Sequence, residues 1–210
     1  MTTQIKIPAT YMRGGTSKGV FFRLEDLPES CQVPGEARDR LFMRVIGSPD
    51  PYSAHIDGMG GATSSTSKCV ILSKSSQPDH DVDYLYGQVS IDSPFVDWSG
   101  NCGNLSTAAG AFAIHAGLVD PARIPDNGTC TVRIWQANMQ KTIIAHVPVS
   151  NGQSRSSEIS SWMGSPFRRR RSCWSSWTRP MTGKRAAACS PPVIWLMTWR
   201  CRVSAPSRRP

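Results

Sequence analysis

Residues 105–116 read LSTAAGAFAIHA, and this stretch decides the fold. Its residues are small or apolar on nearly every face of a helix, so that no polar stripe is left to face water. A helix with one apolar side docks on the outside of a domain, whereas a helix that is apolar all round needs protein on every side. The stretch therefore predicts a helix buried inside the domain.

Short apolar segments bounded by Gly, Pro, Asn or Asp precede and follow this helix, a pattern typical of strands joined by turns. The expected strands are Ile5–Pro8, Val20–Arg23, Cys69–Ser73, Tyr84–Val89, Cys130–Ala137 and Thr142–Pro148. A second helix is expected at Glu36–Ile46, because Leu41 and Val45 keep helical spacing. Together these elements predict an α+β domain in which a curved, mostly antiparallel β-sheet or barrel wraps around a central helix.

Composition excludes several classes of protein. The 210 residues are 39% hydrophobic, but none of the apolar runs reaches the ~18–20 residues of a membrane span, and the start MTTQIKIPAT lacks the apolar core of a signal peptide. The seven cysteines are odd in number and without CxxC or CxxH spacing, so they resemble neither a disulfide framework nor a zinc site. These features predict a soluble cytoplasmic protein with reduced thiols and no metal.

The net charge of +9 is concentrated at one end of the chain. Residues 1–150 carry 12 Lys/Arg and 14 Asp/Glu, whereas residues 151–210 carry 12 Lys/Arg and the single acid Glu158. The last sixty residues also hold five of the seven tryptophans, and no period of 2 or 3.6 organises them. The change predicts an N-terminal domain over residues 1–153 and a basic Trp-, Ser- and Pro-rich tail over residues 154–210.

Three interpretations of the tail are open. It could bind nucleic acid, with Arg168 to Arg171 on phosphates, or it could be an ordinary solvated tail, although such tails are poor in Trp and Cys. The third is coding DNA read in a shifted frame. Permitted codons for Glu158 to Ser165, read from the third base, give DFELDGV, and from Arg171 onward the shifted frame gives an acidic, stop-free string containing MFPTGN. We favour a frame break just after Gln153, which would make residues 154–210 non-native.

Three polar, glycine-rich segments are the candidate functional sites, and the first is RGGTSKG. It lacks the GxxxxGK[ST] spacing of a nucleotide-binding loop. Exposed backbone N–H groups in such a turn can form a cradle for a carboxylate. The side chains that would join it are Arg13, Thr16, Ser17 and Lys18, with Gly19 closing the segment. The alternative is a hairpin turn that is merely polar.

The second segment, DGMGGATSSTSK, leads directly into the apolar strand at Cys69. A lysine at the mouth of a buried strand is partly desolvated, and desolvation lowers its pKa toward that of a useful base. Lys68 is therefore a candidate general base, with the hydroxyls of Ser65 and Ser67 as candidate ligand donors. The alternative is a surface lysine at the start of a strand.

The third segment, SGNCGN, stands immediately before the buried helix. Free N–H groups and the positive end of a helix dipole favour an anion at this position. They also favour the anionic form of a cysteine there, so Cys102 is a candidate acid/base group. Asn101, Gly103 and Asn104 would complete the anion site. The alternative is that Cys102 is a small residue buried in a tight cap.

Four runs of sequence resemble one family. They are YMRGGTSKGVFF, HIDGMGGATSSTSKCVIL, VDWSGNCGNLSTAAGAFAIHAGLV and VRIWQAN. Together they are similar to the PrpF family, the 2-methylaconitate cis–trans isomerases of propionate breakdown, over residues 4–153. The resemblance implies the diaminopimelate-epimerase-like fold, in which two lobes each wrap a curved sheet around a helix and the active site lies between them. It also implies that this chain holds the N-terminal lobe only, and the shifted-frame MFPTGN resembles the family's continuation.

The resemblance assigns roles to the candidate residues. Lys68 matches the catalytic lysine, and Cys102 matches a cysteine that faces the substrate in the same pocket. The residues Asn101, Gly103 and Asn104 match a nest that holds a substrate carboxylate, and Ser17, with Thr16, Lys18 and Gly19, matches a loop at the pocket edge. The implied chemistry needs a base and carboxylate-binding N–H groups, but no cofactor.

The implied activity is conversion of 2-methyl-trans-aconitate, a small tricarboxylate, to the cis isomer. The enzyme would work beside an iron–sulfur 2-methylcitrate dehydratase and could form homo-oligomers. Sister activities are the first alternative: tautomerisation of 4-oxalomesaconate or isomerisation of methylitaconate. A nucleic-acid-binding protein that uses the basic tail is the second, and an inactive pseudogene product is the third. This 210-residue chain is expected to be a poor enzyme or an inactive one, because half of a two-lobed site would be missing.

Overall fold

A computed structural model of the chain describes residues 5–155 and two further strands at 173–176 and 193–201. The strands are β1 (Ile5–Gly14), β2 (Ser17–Arg23), β3 (Lys68–Lys74), β4 (Val82–Val89), β5 (Val96–Asp97), β6 (Asn127–Gln136), β7 (Lys141–Ser150), β8 (Gln153–Ser154), β9 (Cys173–Ser176) and β10 (Val193–Cys201). The α-helices are α1 (Glu29–Gln32), α2 (Glu36–Ile46) and α3 (Gly103–His115), and short 3-10 turns cover Leu24–Asp26 and Pro121–Arg123.

The described strands form one sheet in the order β10-β1-β2-β3-β4-β6-β7-β8, with β5 paired to β4 and β9 paired to β7. Neighbouring strands are antiparallel except at two places, β2 beside β3 and β4 beside β6. Helix α3 packs against β1 and β2 on one side and against β6 and β7 on the other. Because these pairs are separated in the strand order, the sheet must curl around the helix to reach it from both sides.

Every residue of α3 from Leu105 to Ile114 is buried. The small side chains let the strands approach closely, and a Cβ added at Gly110 would lie 2.8 Å from Ala145 Cβ. The predicted α+β lobe, with a curved sheet around a central helix, is confirmed. No helix within the described residues is long and apolar enough to cross a membrane.

The outer face of the sheet carries a second layer, formed by α1 and α2. Alternation along β2 separates the two layers, because successive side chains point to opposite faces of a strand. Phe21 faces inward, with its ring centroid 5.4 Å from that of Phe112 on α3, whereas Phe22 faces outward and stacks on Phe42 of α2 at 5.4 Å. The inner cluster surrounds α3, and the outer cluster covers the back of the same strands.

The structure agrees with the expected elements and lengthens most of them. Helix α2 has the predicted bounds, whereas α3 begins at Gly103, two residues earlier than expected. The first strand was expected to end at Pro8 but continues to Gly14, because its later residues pair with the strand that follows the turn. The sequence did not predict α1, β5 and β8, because these elements are too short to show a repeating pattern of hydrophobic residues.

The tail gives a further difference. The aperiodic sequence after residue 153 gave no expectation of strands, yet β9 pairs with β7 and β10 pairs with β1. An edge strand offers unpaired backbone groups to any extended segment, whatever its side-chain pattern. The predicted boundary after Gln153 falls inside β8. Arg168 to Arg171 lie outside the described residues.

We predict that Gly110→Ala destabilises the protein although alanine favours helices by about 1 kcal/mol. The new methyl group would lie 2.8 Å from Ala145 Cβ and 2.9 Å from Val147 Cγ2, and overpacking of this kind costs about 1–3 kcal/mol. Urea unfolding of the 210-residue chain measures the change. The control is Gly103→Ala at the start of the same helix, where an added Cβ meets nothing within 4 Å. Equal stability of the two variants would mean that α3 is not tightly enclosed.

Candidate active site

The ends of four elements meet at one edge of the lobe. Strand β2 begins at Ser17 and β3 at Lys68, and the two strands are parallel, so both start at the same edge. Strand β4 is antiparallel to β3, and it therefore ends at this edge, where Gln88 lies opposite Lys68. The N-terminus of α3 is held at the same edge by the turn between β1 and β2, through Asn104.

The turn between β1 and β2 packs directly on the first residues of α3. Asn104 Nδ2 donates to Thr16 Oγ1 at 3.0 Å and to Ser17 Oγ at 3.5 Å. Cys102 Sγ donates to Ser17 Oγ at 3.5 Å. Gly15 has a φ of +55° and leaves no room for a Cβ beside the Asn104 side chain. The turn thus joins β1 and β2 as a hairpin, and its tip is fitted to the first turn of the helix.

Lys68 is buried on the inner face of the sheet, with 7% of its surface exposed. Its Nζ donates to the Tyr86 hydroxyl at 2.9 Å and to Gln88 Oε1 at 2.7 Å, and it lies 5.3 Å from the centroid of the Tyr86 ring. Burial lowers the pKa of the Lys68 amine, and negative charge on the nearby Cys102 sulfur opposes this by favouring the charged amine. Lys68 is therefore a desolvated amine within electrostatic reach of Cys102.

Cys102 occupies the N-cap position of α3, where no side chain within the described part of the chain caps the helix. Its carbonyl accepts the first helical bond, from the Ser106 N–H at 2.9 Å. The N–H groups of the first helical residues, Gly103 and Asn104, point out of the helix end, as they do in any α-helix. This end can bind an anion, because the helix dipole adds to those donors.

The structure brings most of the predicted residues to this edge. Ser17, Lys68 and Cys102 are buried there, and Thr16, Asn101, Gly103 and Asn104 form the exposed rim. Gly19 lies against Lys68, whose carbonyl oxygen would be 3.1 Å from an added Cβ. We name this group of residues, with Gln88 and Tyr86, the rim cluster.

Four other predicted site residues lie outside the rim cluster: Arg13, Lys18, Ser65 and Ser67. Lys18 alternates with Ser17 along β2, so its side chain lies on the opposite face of the sheet, and Arg13 is its cross-strand partner. The Lys18 N–H donates to the Ser65 carbonyl at 2.8 Å, which ties the loop before β3 to the hairpin. Ser65 Oγ bonds to Thr63 Oγ1 at 2.9 Å. Ser67 is fully buried and donates to the Thr63 carbonyl at 2.8 Å, so its hydroxyl holds this loop together.

Sequence reasoning missed the partners of Lys68. Tyr86 and Gln88 were expected only as part of a strand, although their i, i+2 spacing places both on one face of it. What the sequence lacks is the register that sets Gln88 opposite Lys68. Asn138 was missed as well: its side chain accepts from the Tyr86 N–H at 2.9 Å and donates to the Trp98 carbonyl at 2.6 Å.

Metal ligands are a separate question. Within the residues that the structure describes, no three His, Cys, Asp or Glu side chains come together as a metal site would require.

A family model described as "PrpF protein" matches residues 4–168. The chain belongs to the PrpF family. The match begins before β1 and extends 15 residues beyond Gln153, and it includes the whole rim cluster of this PrpF chain.

Related proteins carry isomerase names. Over 150 residues the chain is 79% identical to "2-methyl-aconitate isomerase" from Cupriavidus necator, covering 71% of this chain and 38% of the relative. It is 45% identical to "4-oxalomesaconate tautomerase" from Pseudomonas putida, over 71% of this chain and 39% of the relative. A crystal structure of methylitaconate-delta-isomerase superposes with a TM-score of 0.72 and 38% identity, over 81% of this chain and 42% of that one. The PrpF chain thus spans about two-fifths of the length of these relatives.

We predict that the stability difference between wild type and Lys68→Met depends on pH. The folded protein releases the Lys68 proton below the ordinary pKa of 10.5, whereas the unfolded chain keeps that proton up to about this pH. Raising the pH from neutrality toward 10.5 therefore stabilises wild type relative to Lys68→Met. Urea unfolding at a series of pH values measures it.

The control for this experiment is Lys74→Met, at the exposed end of the same strand. It removes the same formal charge from the protein without touching the rim cluster. A stability difference between wild type and Lys68→Met that stays constant with pH, or that moves in the opposite direction, would contradict a lowered pKa of Lys68.

Proposed function

We propose that the whole protein to which this lobe belongs is a cofactor-independent isomerase of a small unsaturated tricarboxylate. The observation that carries the proposal is the buried amine of Lys68, held by two neutral acceptors beside Cys102 at the N-terminus of α3. A desolvated amine can act as a general base near neutral pH. The adjacent helix end favours the carboxylates of the substrate.

The proposed reaction begins with proton transfer from carbon. Lys68, as the neutral amine, takes a proton from the carbon next to the double bond, so that a C–H bond breaks and an N–H bond forms. The electron pair spreads over the allylic carbons and onto a carboxylate. In this delocalised anion the former double bond has partial single-bond character, which allows its geometry to change. Return of the proton to the same carbon restores the double bond in its new geometry and removes the carbanion charge, while the carboxylates keep theirs, with no gain or loss of atoms or electrons.

Cys102 is the proposed second acid/base group. Its Sγ lies 3.5 Å from Ser17 Oγ, so the thiol sits on the hairpin side of the cluster while the amine sits on the β4 side. One group can therefore remove the proton and the other can return it. Return to the same carbon completes a trans-to-cis change, whereas return to the other allylic carbon moves the double bond, as the alternative activities require. The N–H groups of Gly103 and Asn104, with the Thr16 and Ser17 hydroxyls, are the proposed carboxylate contacts. Lys18 and Arg13 would add positive charge to the approach without touching the substrate.

Substrate choice within the family is also a proposal. We favour 2-methyl-trans-aconitate, converted to the cis isomer, because the relative of that name is 79% identical, against 45% for the relative named for 4-oxalomesaconate. Methylitaconate isomerisation is the second alternative, supported by the 38% identical crystal structure. We further propose that the enzyme acts in the cytoplasm and forms a homo-oligomer. It would work beside an iron–sulfur 2-methylcitrate dehydratase.

The remaining wall of the site is proposed to lie in sequence that this chain does not contain. The relatives are more than twice as long as the matched region, and the composition changes abruptly after residue 153. We propose a frame break close to the Gln153 codon. Without the second lobe the substrate would stay exposed to water, and misplacing contacts by ~1 Å can already cost ~100-fold in rate.

The test compares two proteins: the 210-residue chain, and the product of the same gene with the frame restored after Gln153. Turnover of 2-methyl-trans-aconitate, 4-oxalomesaconate and methylitaconate is followed by NMR. We expect the restored protein to act on the first acid, Lys68→Met to abolish this, and the 210-residue chain to be at least roughly 100-fold slower.

Three outcomes would each contradict a part of the proposal. Inactivity of the restored protein on all three acids would refute the isomerase assignment. Comparable rates for the two proteins would show that the first lobe suffices. Genomic DNA with an unbroken frame through Pro210 would refute the proposed frame break on its own, whatever the turnover.

A further inference from the structure

The amine of Lys68 lies in a closed triangle of hydrogen bonds with Tyr86 and Gln88. The three edges are Lys68 Nζ to the Tyr86 hydroxyl at 2.9 Å, Lys68 Nζ to Gln88 Oε1 at 2.7 Å, and the Tyr86 hydroxyl to Gln88 Oε1 at 2.6 Å. Neither partner carries a formal charge as a phenol or an amide. The direction of each bond decides what the triangle does to the amine.

The orientation of the Gln88 amide is set from outside the triangle. Its Nε2 donates to the Ser67 carbonyl at 2.9 Å, so Oε1 must face Lys68 and Tyr86. The reverse orientation would set the amide oxygen against a carbonyl oxygen and the NH₂ group against the amine. Oε1 therefore accepts from both neighbours.

This orientation also fixes the Tyr86 hydroxyl. Its single hydrogen is directed to Gln88 Oε1, so the hydroxyl presents only lone pairs to Lys68. It cannot donate to the amine. The backbone of Tyr86 is held in turn by Asn138, which bonds to its N–H at 2.9 Å and to its carbonyl at 2.8 Å. The hydroxyl is thus held on a rigid part of β4.

A neutral amine has two N–H bonds and one lone pair. Both N–H bonds of Lys68 are taken up by the triangle, which leaves the lone pair in the remaining tetrahedral direction, away from β4. We infer that Tyr86 and Gln88 are positioning residues that orient the lone pair of Lys68 for proton abstraction. The inference rests on the proposed function, and it names two residues through which the base acts.

The electrostatic surroundings suit this role. The groups that face the amine are Cys102 from α3 and Tyr86 from β4, and Asp97 on β5 acts on Tyr86. Burial raises the pKa of Tyr86, so its phenol stays neutral in the range where Lys68 loses its proton. A carboxylate at either position would instead hold the proton on the amine.

The main variant is Tyr86→Phe, which removes one hydroxyl and preserves the ring. The matched control is Tyr84→Phe, a buried phenol two residues earlier on β4 whose hydroxyl does not bond to Lys68 in the described part of the chain. Two readouts are needed. NMR of lysine labelled with ¹³C beside the amine, assigned with Lys68→Met, gives the pKa of Lys68 in the 210-residue chain. Turnover of 2-methyl-trans-aconitate is measured in the protein with the frame restored.

We expect Tyr86→Phe to lower the pKa of Lys68 further, because a neutral acceptor stabilises the charged amine more than the neutral one. Nevertheless kcat should fall roughly 10- to 100-fold, with KM little changed, because the lone pair is no longer oriented toward the substrate carbon. The rate should not recover at high pH, since removing the proton from the amine does not restore that orientation. A residue with a merely structural role would not lower the pKa and kcat together. Tyr84→Phe should match wild type in both readouts.

Gln88→Met is the second variant and covers the case in which Tyr86→Phe does not fold. The Ser67 carbonyl keeps its bond from the Val89 N–H at 2.9 Å, so the substitution leaves that carbonyl satisfied. It frees the Tyr86 hydrogen to donate to the amine, so both the pKa and kcat should fall at least as far as in Tyr86→Phe.

An unchanged or raised pKa of Lys68 in both variants would overturn the inference, and so would a kcat that recovers fully at high pH. If the restored protein turns over none of the acids, the proposed function fails. The NMR measurement on the 210-residue chain then decides whether the triangle controls the amine, independently of catalysis.

Discussion

The burial of α3 is the constraint on which the rest of the structure depends. A helix whose residues from Leu105 to Ile114 are all removed from water must have protein on every side. The sheet meets this demand by curling until β1 and β2 on one side and β6 and β7 on the other touch the same helix. The N-terminus of α3 is nevertheless left at the surface, at the edge where β2 and β3 begin and β4 ends. The rim cluster is therefore a consequence of how the core is enclosed.

The same enclosure gives Lys68 its chemistry. The residue stands on the inner face of β3, in line with the buried Val70, and its amine is desolvated by the packing that stabilises the lobe. The amine is satisfied by neutral acceptors, Tyr86 and Gln88, and not by a carboxylate. A carboxylate partner would instead stabilise the charged amine and raise the pKa of Lys68. Burying the amine without a charged partner therefore lowers its pKa and also lowers the stability of the folded protein.

Much of this could be predicted from the sequence. The apolar content of residues 105–116 predicted the central helix, and the spacing of Leu41 and Val45 gave α2 with the observed bounds. Lys68, Cys102, Ser17 and Asn104 were singled out by their place beside a buried strand, a helix start and a glycine-rich turn, and the structure brings them to one edge. Strand ends were less accurate, because pairing with a neighbour extends a strand past its apolar core, as in β1 and β7. The triangle of Lys68, Tyr86 and Gln88 depends on strand register, which a single sequence does not carry. The side chain of Lys18 was placed in the cradle although alternation along β2 turns it to the opposite face.

Amide hydrogen exchange on the 210-residue chain tests the central claim most directly, since exchange reports the free energy of local opening. If the lobe closes around α3, the slowest amide exchange in the chain should be that of α3 from Ser106 to Ile114 and of the hydrogen-bonded ladder between β6 and β7, which packs on the helix. The amides of α2, which covers only the outer face of the sheet, should exchange faster. Exchange in α3 as fast as in α2 would contradict the account, because the helix would then not be enclosed and the rim cluster would have no fixed support.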